Sequence, residues 1–309
     1  MKIVYMGTPD FAVPSLEAII KNGHIVAAAV TQPDKPKGRG KKLSPPPVKE
    51  MALQHGIPVF QPKKVKEKDF VQIMKELAPD CIVVVAFGQI LPKEILEIPP
   101  LGCINVHASL LPKYRGAAPI NWAIINNETK TGVTTMYMDI GLDTGDMILK
   151  KEIMIREQTA GELHDELAIL GSNLLIETLE RVEAGTAPWE KQREEDSSYA
   201  PIMNKELGRI DWHLPALQIH NLIRGVNPWP TAYSTYQGQT FKIWKTALVE
   251  GPCQCSPGSI VRADQNGLLV CCKDSLLLIQ EIQFPNSRRM MVDEYLRGHT
   301  IQENVMLGE

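Results

Sequence analysis

MKIVYMGTPDFAVPSLEAIIKNGHIVAAAV, residues 1–30, sets the architecture. Lys2 to Gly7 is a compact apolar run ending in glycine and reads as a strand. Pro14 to Asn22 places Leu16, Ile19 and Ile20 at helical spacing and stops at Gly23. Ile25 to Val30 is apolar throughout, as strands buried on both faces of a parallel sheet are. Strand, helix and strand in this order make a βαβ unit. A dinucleotide site at the first turn requires G-x-G-x-x-G. Here the turn reads Gly7-Thr8-Pro9-Asp10-Phe11, with one glycine and a proline, and the chain carries no G-x-x-x-x-G-K-[ST]. The stretch predicts an α/β fold with a Rossmann-like, doubly wound, mostly parallel sheet, and removes the main support for a dinucleotide.

The pattern continues outward. Cys81 to Phe87 is the most hydrophobic run and belongs at the centre of the sheet; it ends at Gly88. Cys103 to His107, Gly132 to Asp139 and Met147 to Ile155 read as further strands, and Pro58 to Phe60 as a short edge strand. Helical periodicity covers Glu50–His55, Lys66–Leu77, Ala117–Asn126 and Thr159–Ala184, the last closed by Gly185. Glu190 to Ser198, EKQREEDSS, is polar without periodicity and reads as a linker. Beyond it come a helix over Pro215–Val226, the breaker Asn227-Pro228-Trp229-Pro230, and short strands with hairpin signals at Gln237-Gly238 and Asn266-Gly267. We expect a catalytic α/β domain over 1–189, a linker over 190–206 and a smaller OB-like β-barrel over 207–309.

Composition bounds the function. The 309 residues are 44% hydrophobic and 22% charged with net charge −3, so nothing pushes the whole chain toward nucleic acid or an acidic membrane. No apolar run approaches the roughly 20 residues of a membrane span, and the first residues lack a signal-peptide pattern. A cytoplasmic protein without a membrane partner is expected. Cys81 and Cys103 lie inside apolar strands; Cys253-x-Cys255 and Cys271-Cys272 lack zinc-ribbon spacing, so reduced thiols and no metal are expected. One segment departs from the average: Asp34 to Lys49, DKPKGRGKKLSPPPVK, sets six basic residues against one acid, for a net +5. Its glycines and triple proline argue against a regular element and for a mobile arm suited to a phosphate backbone.

Chemistry concentrates in GCINVHASLLPKYRGAAP, residues 102–119. Side chains two apart on a strand share a face, so Asn105 and His107 project together at a strand end. A third polar group can come from DIGLDTGD, residues 139–146; Asp143 between Gly141 and Gly145 is the first choice, with Asp139 and Asp146 as competitors. No Ser or Cys stands in nucleophile context, so the set fits direct transfer between two substrates. The Asn amide can donate to a developing oxyanion, a protonated His can do the same, and a carboxylate orients the imidazole. The remaining histidines, His24, His55, His164, His213, His220 and His299, read as residues of turns or helix surfaces.

GTPDFA at 7–12, AFGQILP at 86–92, NVHASLLPKYRGAAP at 105–119 and DIGLDTGD at 139–146 resemble the folate-dependent formyltransferases. TQPDKPKGRGKKL at 31–43 and NPWP at 227–230 are similar to the tRNA-contacting insertion and carboxyl-terminal signature of the members that act on tRNA. The resemblance implies 10-formyltetrahydrofolate as cosubstrate, no metal, initiator methionyl-tRNA as acceptor, and a monomer. It implies amine attack on the formyl carbon through a tetrahedral oxyanion, with Asn105, His107 and Asp143 as the catalytic trio. It assigns folate contacts to Phe87, Gly88, Gln89, Ile90, Leu91, Ser109, Leu110, Leu111, Pro112 and Asp139, and tRNA contacts to Lys35, Lys37, Arg39, Lys41 and Lys42. The barrel would meet tRNA from the other side; its nine basic and nine acidic residues from Leu207 to Glu309 cancel, so contact there needs a one-sided patch. The alternative is a formyltransferase with a small-molecule acceptor, which needs neither the basic arm nor the barrel.

Overall fold

The computed structural model describes residues 1–37 and 42–309; of Lys37 and Lys42 only the backbone is described. The chain forms two compact units. The first comprises Met1–Pro119, Thr131–Ile153 and His164–Ala200, and the second Ile120–Lys130, Met154–Leu163 and Pro201–Glu309.

In the first unit the opening stretch folds as β1 (Lys2–Gly7), α1 (Val13–Lys21) and β2 (Ile25–Val30). There follow β3 (Lys35–Lys37), β4 (Lys42–Ser44), α2 (Pro47–Gln54), β5 (Val59–Phe60), α3 (Lys68–Leu77), β6 (Cys81–Val85), α4 (Lys93–Leu96), β7 (Cys103–His107) and β8 (Arg115–Gly116). After α5 (Pro119–Ile125) come β9 (Lys130–Tyr137), β10 (Met147–Met154), α6 (Ala160–Glu183) and β11 (Tyr199–Ala200). The main sheet runs β10-β9-β7-β6-β1-β2-β5. The apolar run at β6 is its fourth strand, with every residue buried. β5, β2, β1, β6 and β7 pair in parallel.

Alternation along the strands separates two cores. Val4, Met6, Ile82, Val84 and Cys103 share one face and pack with Phe70 and Met74 of α3, a pair at i, i+4. On the other face α6 lies so close that a Cβ at Gly171 would stand 3.0 Å from Val106 Cγ1. Asn105 and His107 have the parity of Cys103 and so emerge on the α3 side.

β9 breaks the parallel order. It runs antiparallel to β7, with Ile104 opposite Tyr137 and His107 opposite Thr134. The connection 138–146 therefore leaves the sheet beside the amino-terminal half of β7. Asp143 can reach His107 only if that connection folds back over the sheet.

The segment after Asp34 also differs from expectation. β3 and β4 form an antiparallel ladder, Lys35 to Ser44, Pro36 to Leu43 and Lys37 to Lys42. The prolines are compatible with it: Pro36 lies in a two-stranded ladder with no further strand beyond, where its missing N–H costs little. Pro47 opens α2 at a position where a helix needs no N–H from it. Arg39 and Lys41 lie outside the described residues.

The second unit holds α7 (Ala216–Gly225), β12 (Ala232–Tyr236), β13 (Gln239–Val249), β14 (Ile260–Asp264), β15 (Gly267–Cys271), β16 (Leu276–Gln283), β17 (Met290–Met291) and α8 (Val292–Leu296). Its antiparallel sheet runs β12-β13-β16-β15-β14, with β17 on β16. Isolated bridges from Tyr236 to Leu307 and from Ser259 to Met306 tie both sheet edges to the same terminal segment. Two expectations are corrected here. His220 is buried, its ring between Thr246 Oγ1 at 2.9 Å and Glu157 Oε2 at 3.0 Å, and burial pulls its pKa down. The buried ring has a polar partner at each nitrogen, which helix position alone does not reveal. Cys253 and Cys271, expected as unrelated thiols, are brought together with their Cα atoms 5.6 Å apart, a spacing that permits a disulfide.

Among the described residues no helix is long and apolar enough to cross a membrane. Ile104, fully buried in β7, tests the account of the core. Ile104→Ala should cost about 2–5 kcal/mol in urea unfolding, and a loss well under 1 kcal/mol would contradict the packing described.

Candidate active site

Strand alternation places Asn105 and His107 side by side, and the loop after β7 fixes the imidazole. His107 is buried, and its Nε2 lies 2.9 Å from the Tyr114 carbonyl. A carbonyl can only accept, so Nε2 carries the hydrogen and donates. Nδ1 then faces Asp143, with Oδ2 at 3.6 Å. Asn105 Nδ2 stands 3.4 Å from Asp143 Oδ1. The short bond at this carboxylate comes from the backbone: Gly116 N–H donates to Oδ2 over 2.8 Å. The structure brings Asn105, His107 and Asp143 together. Asp139 is exposed and turned to its own loop, accepting from Gly141 N–H at 2.9 Å and Thr144 Oγ1 at 2.7 Å.

The backbone of the site is unusual. Tyr114 and Asp143 both adopt left-handed conformations, with φ of 60° and 55°. Outside glycine such residues are uncommon. The two glycines around Asp143 are required by space: a Cβ at Gly145 would fall 1.8 Å from the Tyr137 carbonyl oxygen, and one at Gly141 2.0 Å from Thr144 Oγ1.

The segments expected to meet folate are placed unevenly. Phe87 and Leu91 are buried in the α3-side core, and the Phe87 carbonyl accepts from Thr8 Oγ1 and Gln32 Nε2. Gln89 turns its side chain to Val65 N–H and the Pro62 carbonyl. Gly88 and Ile90 are exposed, as are Ile140 and Leu142 beside Asp143 in sequence. Ser109 is buried and donates to the Lys113 carbonyl. Leu111 packs with Met136 and Met147, while Leu110 and Pro112 are half-buried. Gly88, Ile90, Ile140 and Leu142 are thus the accessible apolar residues of these segments, and Phe87, Leu91 and Leu111 are core.

Of the basic residues assigned to tRNA, Lys35 is exposed at the start of the β3–β4 ladder, and the side chains of Lys37 and Lys42 lie outside the description. Lys49 is not free: its Nζ lies 2.9 Å from Asp34 and 2.8 Å from Gln61 Oε1. Hydrogen bonds from Lys49 and then Gln61 hold the Asp34 carboxyl below its ordinary value. A cleft of about 310 Å³ opens beside this cluster, lined by Thr8, Gln32, Lys35, Ser44, Glu50 and prolines.

Sequence reading passed over Gln192, Arg115 and Ser198. Gln192 Nε2 donates to the carbonyls of Asp143 and Gly145, both at 2.8 Å, and its Oε1 accepts from Arg115 Nε at 3.0 Å. Ser198 Oγ accepts the Tyr114 N–H, and β11 pairs with β8. Nothing in a polar, aperiodic EKQREEDSS distinguishes Gln192 or Ser198, and Arg115 carries no role of its own within the 102–119 stretch; only tertiary contact reveals them.

Comparison with known proteins finds relatives over the whole chain. Residues 1–179 match the family model "Formyl transferase" and residues 202–300 the model "Formyl transferase, C-terminal domain". A methionyl-tRNA formyltransferase of Clostridioides difficile (strain 630) is 60% identical over 309 residues, covering 100% of both chains. Among solved structures, WlaRD, a sugar 3N-formyl transferase determined in the presence of dTDP and 5-N-formyl-THF, aligns at TM-score 0.69 and 22% identity over 93% of this chain and 99% of that one. HypX from Aquifex aeolicus in complex with tetrahydrofolic acid aligns at TM-score 0.64 and 17% identity; 96% of this chain matches 47% of that longer protein. At these identities the two structures speak to fold alone.

The Asp34 cluster gives a pH test. Its carboxyl is lowered in the folded state, so its contribution is present above the unfolded value near 3.9 and is lost as pH falls through the folded value. In Lys49→Met the Asp34 carboxyl should rise toward the ordinary range in a ¹³C-detected titration, and part of the acid sensitivity should disappear. An unchanged Asp34 titration would contradict the assignment of cause.

Proposed function

The chain belongs to the formyl transferase family, among its methionyl-tRNA formyltransferases, and we propose that it transfers the formyl group of 10-formyltetrahydrofolate to the α-amino group of methionyl initiator tRNA. The convergence of Asn105, His107 and Asp143 carries this reading.

The chemistry follows from that arrangement. An amine must be neutral to attack, and a free α-amino group titrates near 7.7–8.0. The neighbouring ester lowers this further by induction, so neutral amine is available near neutral pH. Attack on the formyl carbon creates an oxyanion. Asn105 Nδ2 is a donor available to it, and His107 becomes a second when protonated at Nδ1 as well as Nε2. The separations of 3.4 and 3.6 Å exceed a tight hydrogen bond and leave Asp143 approached but not closed upon by its neighbours. An entering oxygen, amine or water can be accommodated there, and such contacts tighten when substrate binds. Asp143, fixed by Gly116 N–H, orients the imidazolium and can take the amine proton through water. That proton passes on to the folate nitrogen, which departs with the electron pair of its bond to carbon and completes the transfer.

Exposed Gly88, Ile90, Ile140 and Leu142 offer apolar surface that suits the pterin. The basic arm distinguishes an RNA acceptor from a small one: Lys35, Lys37, Arg39, Lys41 and Lys42 concentrate positive charge in a chain of net −3.

Labelled 10-formyltetrahydrofolate with methionyl-tRNA, uncharged tRNA or free methionine tests the reading. Formyl transfer to methionyl-tRNA alone is expected. Asn105→Ala should lower kcat by on the order of 10²–10³, and His107→Ala at least as much, with the fold intact by circular dichroism. Near-wild-type turnover in either would sink the mechanism. Arg39→Ala should raise KM for tRNA and flatten its salt dependence without changing folate binding. Equal loss toward both substrates would argue against the arm as an RNA contact.

A further inference from the structure

The catalytic trio accounts for Asp143 by its carboxylate. It does not account for why that carboxylate stays where it is. Asp143 sits at φ 55° in a loop that folds back from an antiparallel strand, and its contacts to Asn105 and His107 are long. Something else must hold the loop.

Gln192 has the geometry to do so. Its amide nitrogen offers two hydrogens, and both find acceptors, the carbonyls of Asp143 and Gly145 at 2.8 Å each. Its amide oxygen accepts from Arg115 Nε at 3.0 Å. Carbonyls only accept and guanidinium only donates, so the orientation of this amide is fixed by its partners. Arg115 is itself buried, with Nη1 held by Glu194 Oε2 at 2.9 Å. The next residue, Gly116, donates its N–H to the Asp143 carboxylate. A closed circuit results: the Arg115 side chain holds Gln192, Gln192 holds the Asp143 backbone, and the Asp143 carboxylate returns to the peptide beside Arg115. Ser198, in the same strap, accepts the N–H of Tyr114, whose carbonyl fixes His107.

We propose that Gln192 is a positioning residue for formyl transfer, bracing the 143–145 backbone so that the Asp143 carboxylate faces His107. The inference rests on the functional reading above for what reaction is affected, but not for whether the brace exists.

Two substitutions test it. Gln192→Glu keeps size and an acceptor for Arg115 but sets a carboxylate against two carbonyls; Gln192→Leu removes all three bonds. Arg193→Ala is the control, since Arg193 is exposed and pairs within the strap with Glu195 and Asp196. With the proteins folded by near-UV circular dichroism, kcat should fall on the order of 10²-fold in both Gln192 variants with KM for either substrate little changed, as loss of alignment produces. The ¹⁵N ring resonances of His107, assigned by comparison with His107→Gln, should move in both and stay in place in Arg193→Ala. Unmoved ring resonances and undiminished kcat in either folded Gln192 variant would overturn the proposal, as would equal loss in Arg193→Ala. If wild-type protein transferred no formyl to methionyl-tRNA while the His107 resonances still moved, the functional reading would fail and the brace would stand.

Discussion

The Gly116 N–H donates to Asp143 over 2.8 Å, and that bond joins two segments the sheet by itself would keep apart. β7 delivers Asn105 and His107 toward its carboxyl end. β9 runs the other way, so the 138–146 connection starts beside Ile104 and has to return. Gly116 is confined on its other side as well: a Cβ there would fall 2.6 Å from the Tyr199 ring and 2.8 Å from the Ala200 carbonyl oxygen. The β8–β11 pairing, the peptide of Gly116 and the carboxylate of Asp143 therefore depend on one another. A carboxylate anchored by a backbone N–H also keeps lone pairs for other donors, the Asn105 amide among them.

What could be read from residues alone follows from short-range periodicity. β1, α1 and β2 are encoded by apolar spacing within 30 residues, and β6 by an unbroken apolar run. The sharing of a face by Asn105 and His107 follows from a period of two, and the approach of Asp143 from the glycines that flank it. The direction of β9 was not readable, because strand sequence carries side-chain alternation and not polarity. The β3–β4 ladder was obscured by proline, which sits where its missing N–H does no harm. Gln192 and Arg115 were hidden for a different reason. A residue that serves by bonding a distant carbonyl has no pattern of its own, and a polar segment over 190–198 reads as solvent-facing until its partners are known.

The basic arm changes meaning at its ends. Six basic residues lie between Asp34 and Lys49, but Lys49 is bound to Asp34 and Gln61. Its charge is neutralised at the root of the arm, where the segment joins β2 and α2. The other five basic residues of the segment lie between Lys35 and Lys42 in sequence. The polar anchor also links the arm to the site end of the sheet: Gln61 bonds the Gln32 carbonyl, and Gln32 bonds that of Phe87.

Two residues of the site accept an unfavourable backbone. A left-handed conformation costs a non-glycine residue roughly 1–2 kcal/mol, and Tyr114 and Asp143 both adopt it. Glycine would relieve the strain, but it would remove the carboxylate at 143 and the buried ring at 114, and it would add disorder to the unfolded chain. The strain is instead offset locally. Tyr114 donates its N–H to Ser198 and accepts from His107; Asp143 accepts from Gln192 at its carbonyl and from Gly116 at its carboxylate. Each such bond contributes a net 0.5–1.5 kcal/mol, roughly, so these bonds together are of the size needed to hold the conformation. A site held this way keeps its geometry only while the circuit is intact. Its precision then depends on the 192–200 strap as directly as on the strand that carries Asn105 and His107.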